Sequence, residues 1–324
     1  MTSLSKVVME GRPAVRLMFR SQGAFMGKLH RQHLIWSGID MHGLGESGMG
    51  PIIEEVLAEK LHGVAFSPYV DGQDNKTEVG AEQIRARMEM LAPHTRWIRT
   101  FSCTRGNELS PGVARELGLK TMVGVWIDDD LAYNELELAA GIEIAKRGEA
   151  GVLAIGNEVM LREELTEDQL IAYIERAKSE LSKAGVDVPV GYVDAYFLFE
   201  NHPRVAAACD VILVNCYPFW EGYPIEHAHI YMREMYRRAQ RVANGKKVII
   251  AETGWPNIGT PDRGAVPSRA NAMKYFLDAV RWTQDEGIEL FYFAGFDEAW
   301  KIASEGDVGA YWGLWDKDGA PKYV

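Results

Sequence analysis

The stretch Gly151-Val-Leu-Ala-Ile-Gly-Asn-Glu-Val159 is apolar from Val152 to Ile155 and then ends abruptly in an amide and a carboxylate. An unbroken apolar run of that length reads as a strand covered on both faces, because a sheet with one wet face would alternate polar and apolar side chains. Runs of the same character occur at 62–67, 96–101, 120–126, 188–193, 210–216, 247–252 and 289–295. Longer amphipathic stretches lie between them, at 78–91, 131–147, 166–184, 225–243 and 268–286. Thr166-Glu-Asp-Gln169 has the form of a helix-opening capping box, and Gly185 is placed to close that helix. Eight strand–helix alternations predict an α/β protein built as one closed (β/α)8 TIM barrel rather than an open doubly wound sheet. No G-x-G-x-x-G or P-loop pattern follows any of these strands, so the phosphate cradle of nucleotide-binding α/β folds is missing.

Composition narrows the function classes. The chain has 324 residues, 47% hydrophobic and 25% charged, which excludes disordered and fibrous classes. Its formal charge of −11 argues against nucleic acid as a partner, since polyanion binding depends on Lys and Arg displacing counterions. Three cysteines, none in a C-x-x-C pair, point to a fold independent of disulfides. The histidines show no H-E-x-x-H pattern, and His227 and His229 sit two apart on a predicted helix, on different faces, so neither a metal nor another cofactor is expected. There is no G-x-S-x-G elbow for a serine hydrolase, and Cys103 and Cys216 read as small apolar fillers.

Residues 1–45 form a basic N-terminal extension, and residues 46–324 the catalytic barrel. Up to Ile39 there are six basic residues against one acid, a net +5, which leaves −16 for the rest of the −11 total. A targeting arm, a patch for anionic lipid and a plain extension outside the catalytic unit all fit, and Met41 precedes a cleaner domain start. No apolar run is long enough for an export signal or a membrane span. The cytoplasm is the default location, and a periplasmic or secreted one applies if the N-terminus is mis-assigned. A monomer is expected.

In a barrel of this kind chemistry gathers where strands end. Those ends carry Tyr69, Arg99, Trp126, Asn157, Glu158, Tyr192, Asp194, Asn215, Tyr217, Glu252, Trp255, Asp297, Glu298, Trp300 and Lys301. Carboxylates, amides and flat rings on one rim suit a sugar, which offers hydroxyls at its edge and C–H groups on its face. Trp126, Trp220, Trp255 and Trp300 are candidate platforms, although tryptophan packed beneath a loop is equally expected.

The sharpest feature is a pair of glutamates. Glu158 ends the fourth run, and Glu252 ends the seventh in Ile249-Ile-Ala-Glu-Thr-Gly-Trp-Pro256. A charge at the end of an apolar run is costly unless it is paired or used. Either alone fits an ion pair with Arg99 or Lys301; as a pair on one rim they fit glycosidic bond cleavage. That chemistry needs one group to protonate the leaving oxygen and another to attack the anomeric carbon.

Gly-Asn-Glu-Val at 156–159 and Ala-Glu-Thr-Gly-Trp-Pro-Asn at 251–257 resemble the acid/base and nucleophile motifs of glycoside hydrolase family 17. The resemblance spans most of 61–320. It includes GVAFSPYVDGQ (63–73), IRTFSC (98–103), VNCYPFW (214–220), FDEAWK (296–301) and WGLWD (312–316), and it is closer to bacterial and fungal cell-wall-type members than to plant ones. It implies a retaining enzyme acting on β-1,3-glucan through a covalent glycosyl-enzyme, as a hydrolase or, alternatively, as a glucanosyltransferase. By motif, Glu158 is the implied acid/base, Glu252 the nucleophile, Asn157 a partner of the sugar 2-hydroxyl and Tyr217 a restraint on the nucleophile. Glu298 and Lys301 match a polar cluster beside the acid/base, and Glu305 is the candidate for one further acid. Tyr69, Trp126, Trp220 and Trp255 are expected to bind substrate, with Trp220 and Tyr223 near an acceptor. A silent glucan-binding module is the alternative from another class, and the intact glutamate pair argues against it.

Overall fold

The computed structural model describes residues 43–324, so the basic segment ahead of residue 43 lies outside the described residues. The first helix among the described residues is α1 (Glu46–Ala58), which sequence periodicity does not single out because its first turn is glycine-rich. Eight strands follow, β1 (Leu61–Ala65), β2 (Thr95–Arg99), β3 (Lys120–Val125), β4 (Val152–Asn157), β5 (Val190–Ala195), β6 (Val211–Asn215), β7 (Lys247–Thr253) and β8 (Leu290–Tyr292). Each pairs in parallel with its sequence neighbour, and β8 pairs with β1, so the sheet closes on itself. The predicted eighth run is cut short after Tyr292. There the chain leaves the barrel wall, and Phe293 and Ala294 donate to Thr253 and Trp312.

Helices pack outside the strands: α2 (Ala81–Leu91), α3 (Ser110–Glu116), α4 (Leu131–Lys146), α5 (Glu167–Lys183), α6 (Tyr196–Asn201), α7 (Pro203–Ala208), α8 (Ile225–Val242), α9 (Arg269–Glu286) and the short α10 (Ile302–Glu305). The capping box at Thr166 forms with Gln169, and Gly185 takes a left-handed φ of 68° after α5. Met122, Val152, Ala154, Val193, Val211, Leu213, Ile249, Ala251 and Phe291 form one buried cluster. These side chains alternate along their strands and come from six of them, so this is the face turned into the barrel. The interior is therefore a packed plug, and side chains with chemistry emerge only above it, at the strands' C-terminal ends. Cys103, Cys209 and Cys216 are buried free thiols. No helix among the described residues is long and apolar enough to cross a membrane.

Candidate active site

Glu252 lies inside β7, one residue from its end, and Glu158 is the first residue after β4. Both line one cleft of about 440 Å³ together with Leu161, Ala195, Tyr196, Phe197, Asn215, Tyr217, Trp220, Glu221, Phe293, Glu305 and Trp312. The pair that the sequence singled out is thus brought to one opening.

The two carboxylates have contrasting surroundings. Glu252 is 6% exposed, and its Oε1 accepts from Arg99 Nη1 at 2.5 Å while its Oε2 accepts from Tyr217 Oη at 2.7 Å. Both oxygens act as acceptors beside a guanidinium, the arrangement of an ionised carboxylate. Arg99 is 1% exposed at the end of β2, lies over the Phe101 ring at 4.2 Å and also donates from Nη2 to Asn157 Oδ1 at 2.8 Å. One guanidinium therefore ties the seventh strand to the residue before Glu158. That leaves the Asn157 amide NH2 as the group able to donate.

Among the described residues Glu158 forms no ion pair. Its Oε1 accepts from Asn215 Nδ2 at 2.8 Å. Burial pushes its carboxyl up to about 7, the negative charges of Glu252 and Asp194 add to the rise, and the Asn215 hydrogen bond and Arg162 oppose it. Glu158 therefore keeps its proton where an ordinary glutamic acid has lost it. Its backbone stands at φ 55°, a left-handed conformation rare for a residue with a side chain, and Gly156 just before it has φ 82°. The register of β4 on β5 shifts across this stretch. The bulge redirects Glu158 from the barrel wall into the cleft.

A second cluster meets the cleft through Phe293 and Glu305, while Tyr69, Glu298, Trp300 and Lys301 are outside its lining. Lys301 Nζ pairs with Glu298 Oε2 at 2.7 Å and lies over the Phe293 ring at 4.2 Å, and Trp300 Nε1 donates to Glu298 Oε1. Glu305, on α10, lines the cleft; burial pushes its carboxyl up to about 7, with Lys301 opposing the rise and Glu298 and Glu252 adding to it. Tyr69 sits edge-on to Trp300 with centroids 6.1 Å apart, and its hydroxyl accepts from Asn107.

The expected tryptophan platforms separate. Trp220 is 40% exposed and leans on Trp312 at 5.4 Å, so both rings border the cleft. Trp255 corrects the expectation: it is 0% exposed, packs against Phe219 and Tyr275, and spends its indole N–H on the Val266 carbonyl. It is floor packing without a face for a sugar. Trp126 lies outside the cleft lining, with its N–H on Asp128 and its ring under the Arg162 guanidinium at 4.8 Å. Tyr223 does not line the cleft either; it stacks on Tyr231. Sequence reading gave no role to Trp312, Phe293, Leu161, Tyr196, Phe197 or Glu221. Trp312 stands in the quoted WGLWD stretch, but its placement depends on how residues 293–315 fold back over the strand ends.

Known proteins share this architecture. A "Glucan 1,3-beta-glucosidase" of Schizosaccharomyces pombe is 31% identical over 254 residues, covering 74% of this chain and 78% of that protein. One of the same name from Arthroderma benhamiae is 27% identical over 260 residues, covering 72% and 81%. Among solved structures, the glycoside hydrolase family 17 β-1,3-glucanosyltransferase of Rhizomucor miehei superposes with a TM-score of 0.73 at 26% identity, covering 82% of this chain and 96% of that one. An active-site mutant of that enzyme has been solved with laminaritriose. Residues 63–313 match the BtgE/BtgC glycoside hydrolase domain. With a match across more than three-quarters of the chain, and with the barrel and carboxylate pair in place, the chain belongs to the BtgE/BtgC glycoside hydrolase domain family, within glycoside hydrolase family 17.

Proposed function

We propose that the protein is a retaining glycoside hydrolase acting on β-1,3-glucan, with Glu252 as nucleophile and Glu158 as acid/base. The observation that carries this is the contrast between two carboxyls in one cleft: Glu252 is paired with the Arg99 guanidinium, while burial pushes the Glu158 carboxyl up to about 7. The glucan follows from the relatives, which are glucan 1,3-β-glucosidases and a β-1,3-glucanosyltransferase crystallised with laminaritriose.

In the first half-reaction a Glu252 oxygen bonds to the anomeric carbon as the glycosidic C–O bond breaks, and the Glu158 proton goes to the departing oxygen. In the second, Glu158, now a carboxylate, takes a proton from the incoming hydroxyl. That oxygen bonds to the same carbon and the bond to Glu252 breaks. Two inversions leave the β configuration. Asn157 and Tyr217 hold donors beside the nucleophile, and Arg99 neutralises its charge without contacting sugar.

Transfer to a second sugar is a reading that one observation favours. Leu161, Tyr196, Phe197, Trp220 and Trp312 give the cleft that holds both glutamates an apolar and aromatic lining, suited to the C–H face of an acceptor ring rather than to water. Incubation with linear β-1,3-gluco-oligosaccharides, followed by NMR and product sizing, tests both readings. The first product formed is expected to be the β anomer, and species longer than the substrate mark transfer. Release of the α anomer, or no cleavage, overturns the proposal.

The pH dependence follows from Glu158. A raised pKa means the acid is protonated, and competent, up to about pH 7. Above that, kcat/KM on an unactivated oligosaccharide is expected to fall roughly tenfold per pH unit as the proton is lost. Glu305 titrates in the same range, so the limb must persist in Glu305→Gln. An alkaline limb near pH 4.5 contradicts the assignment.

A further inference from the structure

The segment that carries Glu158 is held by a buried network on β5. Tyr192 Oη accepts from the Met160 amide at 2.9 Å, so its single proton points the other way, to Asp194 Oδ2, with which it is hydrogen-bonded. Asp194 Oδ1 accepts from the Ala195 amide at 2.7 Å, and the Leu161 amide also donates to this carboxylate. Asp194 is fully buried and has no ion-pair partner among the described residues. Meanwhile Glu158 donates its own amide to Val193 at 2.8 Å and accepts from the Arg162 amide at its carbonyl. Residues 158, 160 and 161 are thus each pinned to consecutive positions of one strand, and the pinned stretch includes the left-handed residue Glu158.

A buried carboxylate without a cation is an expensive way to hold a loop, since a neutral acceptor could accept the same amides. What a charge adds is a field. We propose that Asp194, acting with Tyr192, is a positioning residue for the acid/base, fixing the strained backbone at Glu158 with its carboxylate held beside it. The groups facing Glu158 are Glu252 and Asp194, which favour the proton, and Arg162 and the Asn215 amide, which oppose it. Burial pushes the Asp194 carboxyl up to about 6, opposed by the hydrogen bonds from Tyr192 and the Ala195 and Leu161 amides and by the charge of Arg162, so Asp194 is ionised where the alkaline limb near pH 7 is read. Arg162 is itself engaged by Glu164 through two hydrogen bonds and lies over Trp126, so its charge is largely spent elsewhere.

This inference rests on Glu158 being the acid, and the test separates the two. Asp194→Asn keeps the shape, removes the charge and turns an NH2 toward backbone donors. On an unactivated β-1,3-gluco-oligosaccharide, kcat/KM is expected to drop about 10–100-fold, part of the 10²–10⁴ that a general acid contributes. The alkaline limb is expected to move down by roughly half a pH unit or more, because a neighbouring negative charge has gone. On an aryl glycoside with a good leaving group, kcat/KM should stay within about threefold, since that bond needs no proton. Tyr192→Phe keeps the charge but cuts the link to Met160; it should show the same dependence on leaving group without the downward shift of the limb. Equal losses on both substrates, or an unmoved limb in Asp194→Asn, overturn the proposal. If Asp194→Asn does not fold, Tyr192→Phe decides: equal losses on both substrates reject it. Should Glu158→Ala itself lack leaving-group dependence, the acid assignment fails first; if only the Asp194 and Tyr192 variants lack it, this inference fails alone.

Discussion

Glu252→Gln is expected to lower kcat on a β-1,3-gluco-oligosaccharide by at least about 10⁴-fold, the scale on which removing a catalytic nucleophile acts. The amide is nearly isosteric, so Arg99 Nη1 keeps an oxygen to donate to and the floor of the cleft stays packed. What is lost is the electron pair that bonds to the anomeric carbon. Glu252→Ala separates chemistry from architecture further. It leaves Arg99, which is 1% exposed, buried without its partner, and breaking such a pair costs about 3–5 kcal/mol, so its thermal melting should fall well below that of Glu252→Gln. It also opens a space beside the anomeric carbon. With an activated donor, a small anion such as azide can fill that space and attack once, giving an α-glycosyl azide where the intact enzyme gives a β product. Turnover of Glu252→Gln within tenfold of the parent, or a β azide from Glu252→Ala, removes Glu252 from the role of nucleophile.

The barrel and the glutamate pair were legible because both rest on local signals with few competing explanations. A strand buried on both faces must be apolar throughout, which is why the β4 and β7 runs stood out and why Glu158 and Glu252 at their ends looked out of place. The partner of each glutamate was another matter. Arg99 and Lys301 were equally plausible partners in sequence; register decides that Arg99 reaches Glu252, while Lys301 is taken by Glu298. The aromatic platforms were hardest. Trp255 follows the nucleophile by three residues, yet Gly254 between them lets the backbone pass so close to Phe293 that an added Cβ would sit 2.1 Å from its carbonyl oxygen. That turn sends the indole into the floor, between Phe219 and Tyr275. Trp312, more than fifty residues later, fills the cleft-facing position instead, beside Tyr217 at 5.5 Å. No periodicity encodes the exchange, because it depends on where a long closing segment returns after β8. In the sequence Tyr192 and Asp194 read only as polar strand ends; their link to Met160 and Leu161 exists only in three dimensions.

Glu158→Ala is expected to divide substrates by their leaving groups, and this division distinguishes an acid from a structural carboxylate. On a gluco-oligosaccharide the departing oxygen belongs to a sugar alkoxide, which cannot leave without a proton, so kcat/KM should fall about 10²–10⁴-fold. On a dinitrophenyl glycoside the phenolate leaves unaided, and kcat/KM, which reports the first half-reaction, should be nearly unchanged. The second half-reaction lacks its base on either substrate, so the glycosyl-enzyme on Glu252 accumulates: kcat and KM on the aryl substrate should fall together, with a burst of phenolate before the slow steady state. Azide, which needs no deprotonation, should raise that kcat and release a β-glycosyl azide, because it attacks after the first inversion and from the side Glu158 vacated. The two azide products therefore have opposite configurations for Glu158→Ala and Glu252→Ala, an outcome that no loss of folding can imitate. The alkaline limb near pH 7 should vanish from kcat/KM on the aryl substrate, since the group whose carboxyl burial raised is gone. An equal loss on both leaving groups, with the limb still in place, assigns the proton to another residue, and Glu305, held near 7 in the same cleft, is the next to replace.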